Sequence, residues 1–313
     1  MTITNVSTYS SLQTLLQNMG QVETDLNTAQ EQVSSGEASQ TYQGLSGNVQ
    51  QYVSLNAQIS QLTDFNSNNS VIVSQLQTSN TTLGQIIQIA TNVQSLVASQ
   101  LSGTSASQSS FQQQLQDVQN SLTSELNTTF EGNYLYGGTD TNTPPVASPL
   151  PAAITIGTPD NSYYQGSAQD STLRIGSDQT ITNNVRADNP AFQQIFAGIA
   201  QALSTIASTG TVTTGSSSGS NSAALQSAEN LIATGIQGVT ALQATVNANI
   251  VTVQQAETQS QTVQTYFKGV TSGISQADVV ALSAQIAQDQ TVLEASFEAF
   301  SRISSLTLAN YLK

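Results

Sequence analysis

The chain contains no cysteine, no histidine and no tryptophan. Without cysteine there is no disulfide framework, no thiolate chemistry and no cysteine-based metal site. Without histidine the commonest general base and the commonest metal ligand are both missing. Positive charge is nearly as scarce: the five basic residues are Arg174, Arg186, Lys268, Arg302 and Lys313, against nineteen acids, for a net charge of −14. A nucleic-acid binder needs clustered Lys and Arg to displace counterions from phosphates, and no such cluster exists, so no nucleic-acid partner is expected. An acidic chain is likewise disfavoured at an anionic membrane surface. No run of about 18 apolar residues is present, so no membrane span is expected. The N-terminus lacks the basic and apolar regions of a secretory signal. That absence ordinarily suggests the cytoplasm, but export by a dedicated machine reading an uncleaved terminus leaves the same trace.

What the 313 residues do contain is polar and uncharged: charged residues make up 8% and apolar residues 37%, with Gln, Ser, Thr and Asn supplying the solubility. Such a surface suits wet contacts between many copies. Near the start, Leu12, Leu15, Met19, Val22, Leu26, Ala29 and Val33 step by three and four without a miss. Near the end, Val279, Leu282, Ile286, Leu293, Phe300 and Ile303 keep the same repeat, with Asp289 and Ser296 as polar lapses. This is the a/d stripe of a coiled coil, not the broader face of a helix lying on a globular core. Ser275 followed by Asp278 reads as a capping box and predicts that the last helix starts at Ser275.

Between these ends the chain reads as a palindrome. Residues 1–9 are expected to be frayed or extended, and the first helix to run from about Ser10 to Val33, stopped by Gly36. A Gly-punctuated hinge over 37–47 precedes a long helix, 48–101, with Tyr52, Leu55, Ile59, Leu62, Val73, Leu76, Leu83, Ile87, Ala90 and Val97 on its seam. Asn66, Asn69 and Asn80 share that seam, either to fix register or because this stretch is wet. A third helix carries Phe111, Leu115, Val118, Leu122 and Leu126. From Tyr134 to Asn189 the helical period is lost and Gly and Pro appear. Short alternating runs at Ala153–Ile156, Tyr163–Tyr164 and Leu173–Ile175 predict a small β-rich insert, with 147–185 lying off the helices. Asp188-Asn189-Pro190 starts another helix. A flexible linker over 209–222, a rod over 223–268 and a second hinge, GVTSG at 269–273, complete the order. The expected fold is mainly α: a long antiparallel coiled-coil-like bundle formed by both chain ends, with a small β-rich inserted domain. Its divisions are 1–47, 48–133, 134–189, 190–222, 223–268 and 269–313.

Two stretches carry a family resemblance. LEASFEAFSRISSLTLANYLK (293–313) is similar to the C-terminal export and assembly helix of the flagellin superfamily, with Arg302, Ile303, Leu306, Leu308 and Tyr311-Leu312 matching. NTTFEGNYLYGGTDTNTPPV (127–146) resembles the passage from helical core to outer domain in the hook–filament junction branch of that superfamily. The first hinge departs from flagellin: Glu31-Gln32-Val33 stands before Ser34-Ser35-Gly36, where flagellins place Arg and Leu. The resemblance implies export through the flagellar type III apparatus, with a cytoplasmic export chaperone at the C-terminal helix. It also implies a ring of subunits between the hook-side junction protein and flagellin, on the extracellular flagellum. The assembly interface would comprise Leu12, Leu15, Met19, Val22, Leu26, Val33, Val279, Leu282, Ile286, Leu293, Phe300, Ile303, Leu306 and Leu308.

Other functions stay open at this stage. Filament flagellin shares the same physics. A glycan-binding adhesin or fibre would concentrate its chemistry in 134–189, at Tyr163, Tyr164 and Asp170. An enzyme would need an acid–base pair such as Glu294 and Glu298, one helical turn apart. That pair falls on the exposed side of its helix and reads as a solvated face, so no catalysis and no cofactor are expected.

Overall fold

The computed structural model describes residues 3–102, 107–150, 156–207 and 218–311. Six α-helices dominate: α1 (Ile3–Ser35), α2 (Val49–Leu101), α3 (Gln108–Leu126), α4 (Pro190–Ala207), α5 (Ser218–Ser275) and α6 (Val279–Tyr311). A 3-10 helix over Tyr42–Asn48 leads into α2. Four short strands form two antiparallel hairpins, β1 (Thr129–Phe130) with β2 (Asn133–Tyr134), and β3 (Ser171–Arg174) with β4 (Thr180–Asn183). The chain divides into two compact units, Leu62–Gln261 and the pair Met1–Gln61 with Thr262–Lys313.

The central unit is built on tight helix packing. Leu225, Ala228, Ile232, Val239, Leu242, Val246 and Val253 of α5 are buried. On α2 the buried line is Asn69, Ile72, Leu76, Ser79, Leu83, Ile86, Ala90, Val93 and Val97. Leu76, Leu83, Ala90 and Val97 of the expected seam lie on it, but Ile72 and Ile86 stand in place of Val73 and Ile87, which are only half-buried. Apolar side chains at 72 and 73, and again at 86 and 87, fit either phase, and tertiary contacts choose.

The helices keep their uncharged surface by turning hydroxyls onto their own backbone. Thr78 Oγ1 donates to the Ser74 carbonyl at 2.9 Å, and Thr252 Oγ1 to that of Ala248 at 2.9 Å. α4 starts as read from sequence: Asn189 Oδ1 accepts from the Ala191 N–H at 3.0 Å, with Pro190 as the first helical residue. It presses closely on α5. A Cβ placed on Gly235 would lie 2.5 Å from Ile195 Cγ1 and 2.8 Å from the Ala191 carbonyl oxygen.

The segment between α3 and α4 is less strand-rich than expected. Residues 151–155 lie outside the described residues, so of the run Ala153–Ile156 only Ile156 is described, in a turn and exposed. Tyr164 makes only an isolated bridge to Val146. Nor does 147–185 lie off the helices. Tyr163, Ile175, Ile181 and Val185 join the same apolar core as α2, α3, α4 and α5. Tyr136 O–H donates to the Ser79 carbonyl at 3.2 Å, and Asn69 Nδ2 to that of Ile175 at 3.0 Å. Buried aromatic area and these paired polar groups hold the segment down.

Three expectations about the ends also change. Residues from Ile3 onward are helical, so the start is not extended. The stretch 269–273 is helical too, because α5 continues through Gly269 and Gly273 to Ser275. Ser275 thus ends a helix, and the last one begins at Val279. Of the expected linker 209–222, residues 209–217 lie outside the described residues, and 218–222 open α5.

Candidate assembly interface

The terminal unit is organised by a clip between its two hinges. α1 stops at Gly36, whose N–H donates to the Gln32 carbonyl at 2.9 Å. Glu37 and Gln276 then form an antiparallel bridge. Ala38 N–H donates to the Ser275 carbonyl at 2.7 Å, and Ala277 N–H to that of Gly36 at 3.0 Å. Gln32 Nε2 closes the loop onto the Ala38 carbonyl at 2.6 Å. Asp278 caps α6 directly, its Oδ1 accepting from Val280 N–H at 3.1 Å and Ala281 N–H at 3.0 Å. A carboxylate suits that place, where free N–H groups and the positive end of the helix dipole meet. Because α1 enters the clip and α6 leaves it, the two helices pack antiparallel along their length.

Their facing sides are the predicted stripes. On α1, Met19 and Ala29 are buried, at 9% and 2% exposure, while Leu12, Leu15, Val22, Leu26 and Val33 are half-buried. On α6, Leu282, Ile286, Leu293, Phe300 and Ile303 are all half-buried. Val279, the first residue of α6, is 44% exposed, so the stripe is not covered at its start. The side chains of Leu306 and Leu308 lie outside the described residues. In the central unit the equivalent seam positions Leu83, Ile86, Ile232 and Val239 are all at 0%. One helix laid on one other covers a stripe from one direction only, so water still reaches it.

The polar lapses fall in the same seam. Asp289 and Ser296 are half-buried, and Asp289 Oδ2 is enclosed without accepting a hydrogen bond. An unpaired acceptor there weakens the helix pair. Exposed apolar side chains flank the seam on both helices: Tyr9 at 71%, Leu16 at 49%, Val292 at 40% and Phe297 at 60%. The heptad reading did not single these out, because it followed the stripe alone.

The residues considered for other chemistry have structural or solvated roles. Glu294 is exposed, and Glu298 pairs with Arg302 at 2.6 Å in water. Tyr163 is fully buried and donates to the Ala187 carbonyl at 2.8 Å. Tyr164 donates to the Ser167 carbonyl at 2.8 Å, and Asp170 pairs with Arg186, which also holds Asp188 at 2.8 Å. Among the described residues no group of three His, Cys, Asp or Glu stands ready for a metal, and no helix is long and apolar enough to cross a membrane.

The phrase at 127–146 is a fold determinant. Asn127 pairs with the backbone of Val146 like a strand, its Nδ2 donating to the Val146 carbonyl and its Oδ1 accepting from the Val146 N–H, each at 2.9 Å. Gly138 has φ +70 and lies where a Cβ would meet the Ser167 and Gln169 carbonyls at 2.4 and 2.6 Å, so only glycine fits.

Long helices from both chain ends, paired at a clip and incompletely covered, define a mainly α protein. Residues 6–141 match the family model of the bacterial flagellin N-terminal helical region. The fold is similar to that of a protein assigned as a flagellar hook-associated protein of Vibrio parahaemolyticus: TM-score 0.56 and 16% identity, over 71% of this chain and 95% of that one. It is also similar to FlgL of Xanthomonas campestris (TM-score 0.55, 12% identity, 69% and 98% covered). FlgL of Bacillus cereus aligns at TM-score 0.52 and 13% identity, over 69% and 96%. No curated protein matches the chain in sequence. The match over 6–141 is to the flagellin-type N-terminal helical region, and the chain has the fold of these solved hook-associated proteins.

Proposed function

We propose that this chain forms the junction between hook and filament, as a ring of subunits joined through α1 and α6. The observation that carries the reading is the contrast in burial: the central seam is closed to water, whereas the terminal stripes stay half-buried. Ordering the ends costs conformational entropy, which further burial against neighbouring copies would offset. The ends, 1–47 and 269–313, then form a coiled-coil layer with those of neighbouring copies. The phrase at 127–146 and the likeness to FlgL folds favour the junction over the filament. On this reading the ring contacts the hook-side junction protein below and flagellin above. The chain leaves the cell through the type III apparatus without a cleaved signal, after a cytoplasmic chaperone has held α6. It acts structurally and not as an enzyme.

The flagellin-type match over 6–141 also fits a filament subunit, and one experiment separates the two. Epitope-tagged protein is viewed on whole flagella by immunogold microscopy. A single band at the distal end of the hook is expected. Label along the entire filament would replace the junction reading with the filament one.

A further inference from the structure

The terminal helix pair has two unlike flanks. α1 and α6 leave the Glu37–Gln276 bridge in antiparallel register with the same rise, so residues equally far from it stand at the same height. Leu16 and Phe297 are such a pair, and Tyr9 lies two turns beyond Leu16. At about 100° per residue, Tyr9, Leu16 and Phe297 all fall roughly 70–100° from the seam toward one flank. All three are exposed, which is costly for large side chains grouped together. At the height of Phe297 the opposite flank of α6 carries Val292, Ala295 and Ala299, small enough to receive a projecting ring.

We infer that neighbouring copies join flank to flank, the Phe297–Leu16 knob of one copy seating on the Val292–Ala295–Ala299 surface of the next. The occupant of each flank is therefore a second copy of this chain. A helix of 33 residues is about 50 Å long. A contact strip about 10 Å wide along it buries on the order of 1,000 Å² over both partners, the lower bound for a specific interface. Because knob and seat are different surfaces, the contact is heterologous and repeats from copy to copy, closing into a ring or continuing as a helix. A two-fold dimer would instead place Phe297 against Phe297. This inference rests on the assembly reading above and adds the geometry of the contact.

The absence of native cysteine makes the geometry directly testable. Phe297→Cys, Ala295→Cys and the double variant are expressed in cells, flagella are purified, and a short bismaleimide is added. The double variant should yield a ladder of covalent oligomers, and each single variant should yield none. Dimers from Phe297→Cys alone, or no ladder from a double variant present in the flagella, would overturn the flank-to-flank contact while leaving the junction reading intact. A double variant missing from the hook end would be read with Phe297→Glu, which removes the knob from a position exposed in the free chain. Phe297→Glu should lower incorporation at least tenfold, and incorporation at the normal level would overturn the inference. Failure of the wild-type protein to label the hook end would count against the junction reading itself.

Discussion

Replacing Leu293 with Asp separates folding of the single chain from assembly. Leu293 is half-buried in the α1–α6 seam. In the free chain the substitution removes part of one leucine's burial, and the new carboxylate can still reach water. The cost there is about 1–2 kcal/mol, confined to the terminal helix pair. Once neighbouring copies close over the seam, the full leucine burial of ~1.5–3 kcal/mol is lost, and an unpaired carboxylate adds a few more. A difference of about 4 kcal/mol per subunit lowers incorporation on the order of a thousandfold. The assay compares helicity and the melting of the central unit in purified protein with the amount found on isolated hooks. Unchanged melting with lost incorporation is expected. Normal incorporation of Leu293→Asp would refute the reasoning, because the seam would then never be covered further.

Two other predictions address the central unit. Gly235→Ala gains up to ~1 kcal/mol of helix propensity, but its methyl meets the Ala191 carbonyl at 2.8 Å. Backbone does not give way like a flexible side chain, so overpacking of about 1–3 kcal/mol wins. Denaturant unfolding should show a net loss, and a gain in stability would contradict the close α4–α5 contact. Alkaline pH should also unfold this unit. Burial pushes the Tyr164 phenol from 10.0 up to about 12, and burial pushes Tyr136 and Tyr163 upward as well. The unfolded chain therefore loses these protons first. Their contribution is complete below pH 10 and is lost as pH rises through the window from about 10 to 12. Unfolding free energy that stays level from pH 9 to 12 would rule this out.

How far the sequence speaks depends on the kind of signal. Local chemistry was legible where one residue decides: Asn189-Pro190 at the start of α4 and Gly36 at the end of α1 both stand where expected. On α5 the buried residues Ile232, Val239, Leu242, Val246 and Val253 keep three- and four-residue steps or their multiples, a spacing the sequence itself carries. α2 offered apolar residues in two adjacent phases, and contacts from distant parts of the chain settled the choice between Ile72 and Val73. The start of α6 was misplaced because an Asp three residues after a Ser fits a capping box, whereas Asp278 caps the helix itself. Gly269 and Gly273 looked like a hinge, yet their propensity cost of about 1 kcal/mol each is small beside the continuity of a long helix. The anchoring of Tyr136 and Tyr163 into the helical core had no periodic signature at all. At the candidate interface, Tyr9 and Leu16 do repeat at seven residues, a second spacing legible beside the main stripe.

The central claim is that the ends of the free chain are held less tightly than its middle. Hydrogen–deuterium exchange on dilute monomer, read peptide by peptide, tests it most directly. Amides of α1 and α6 should exchange orders of magnitude faster than those of α2 and α5 within Leu62–Gln261. Protection of α1 and α6 equal to that of the central helices would contradict the account.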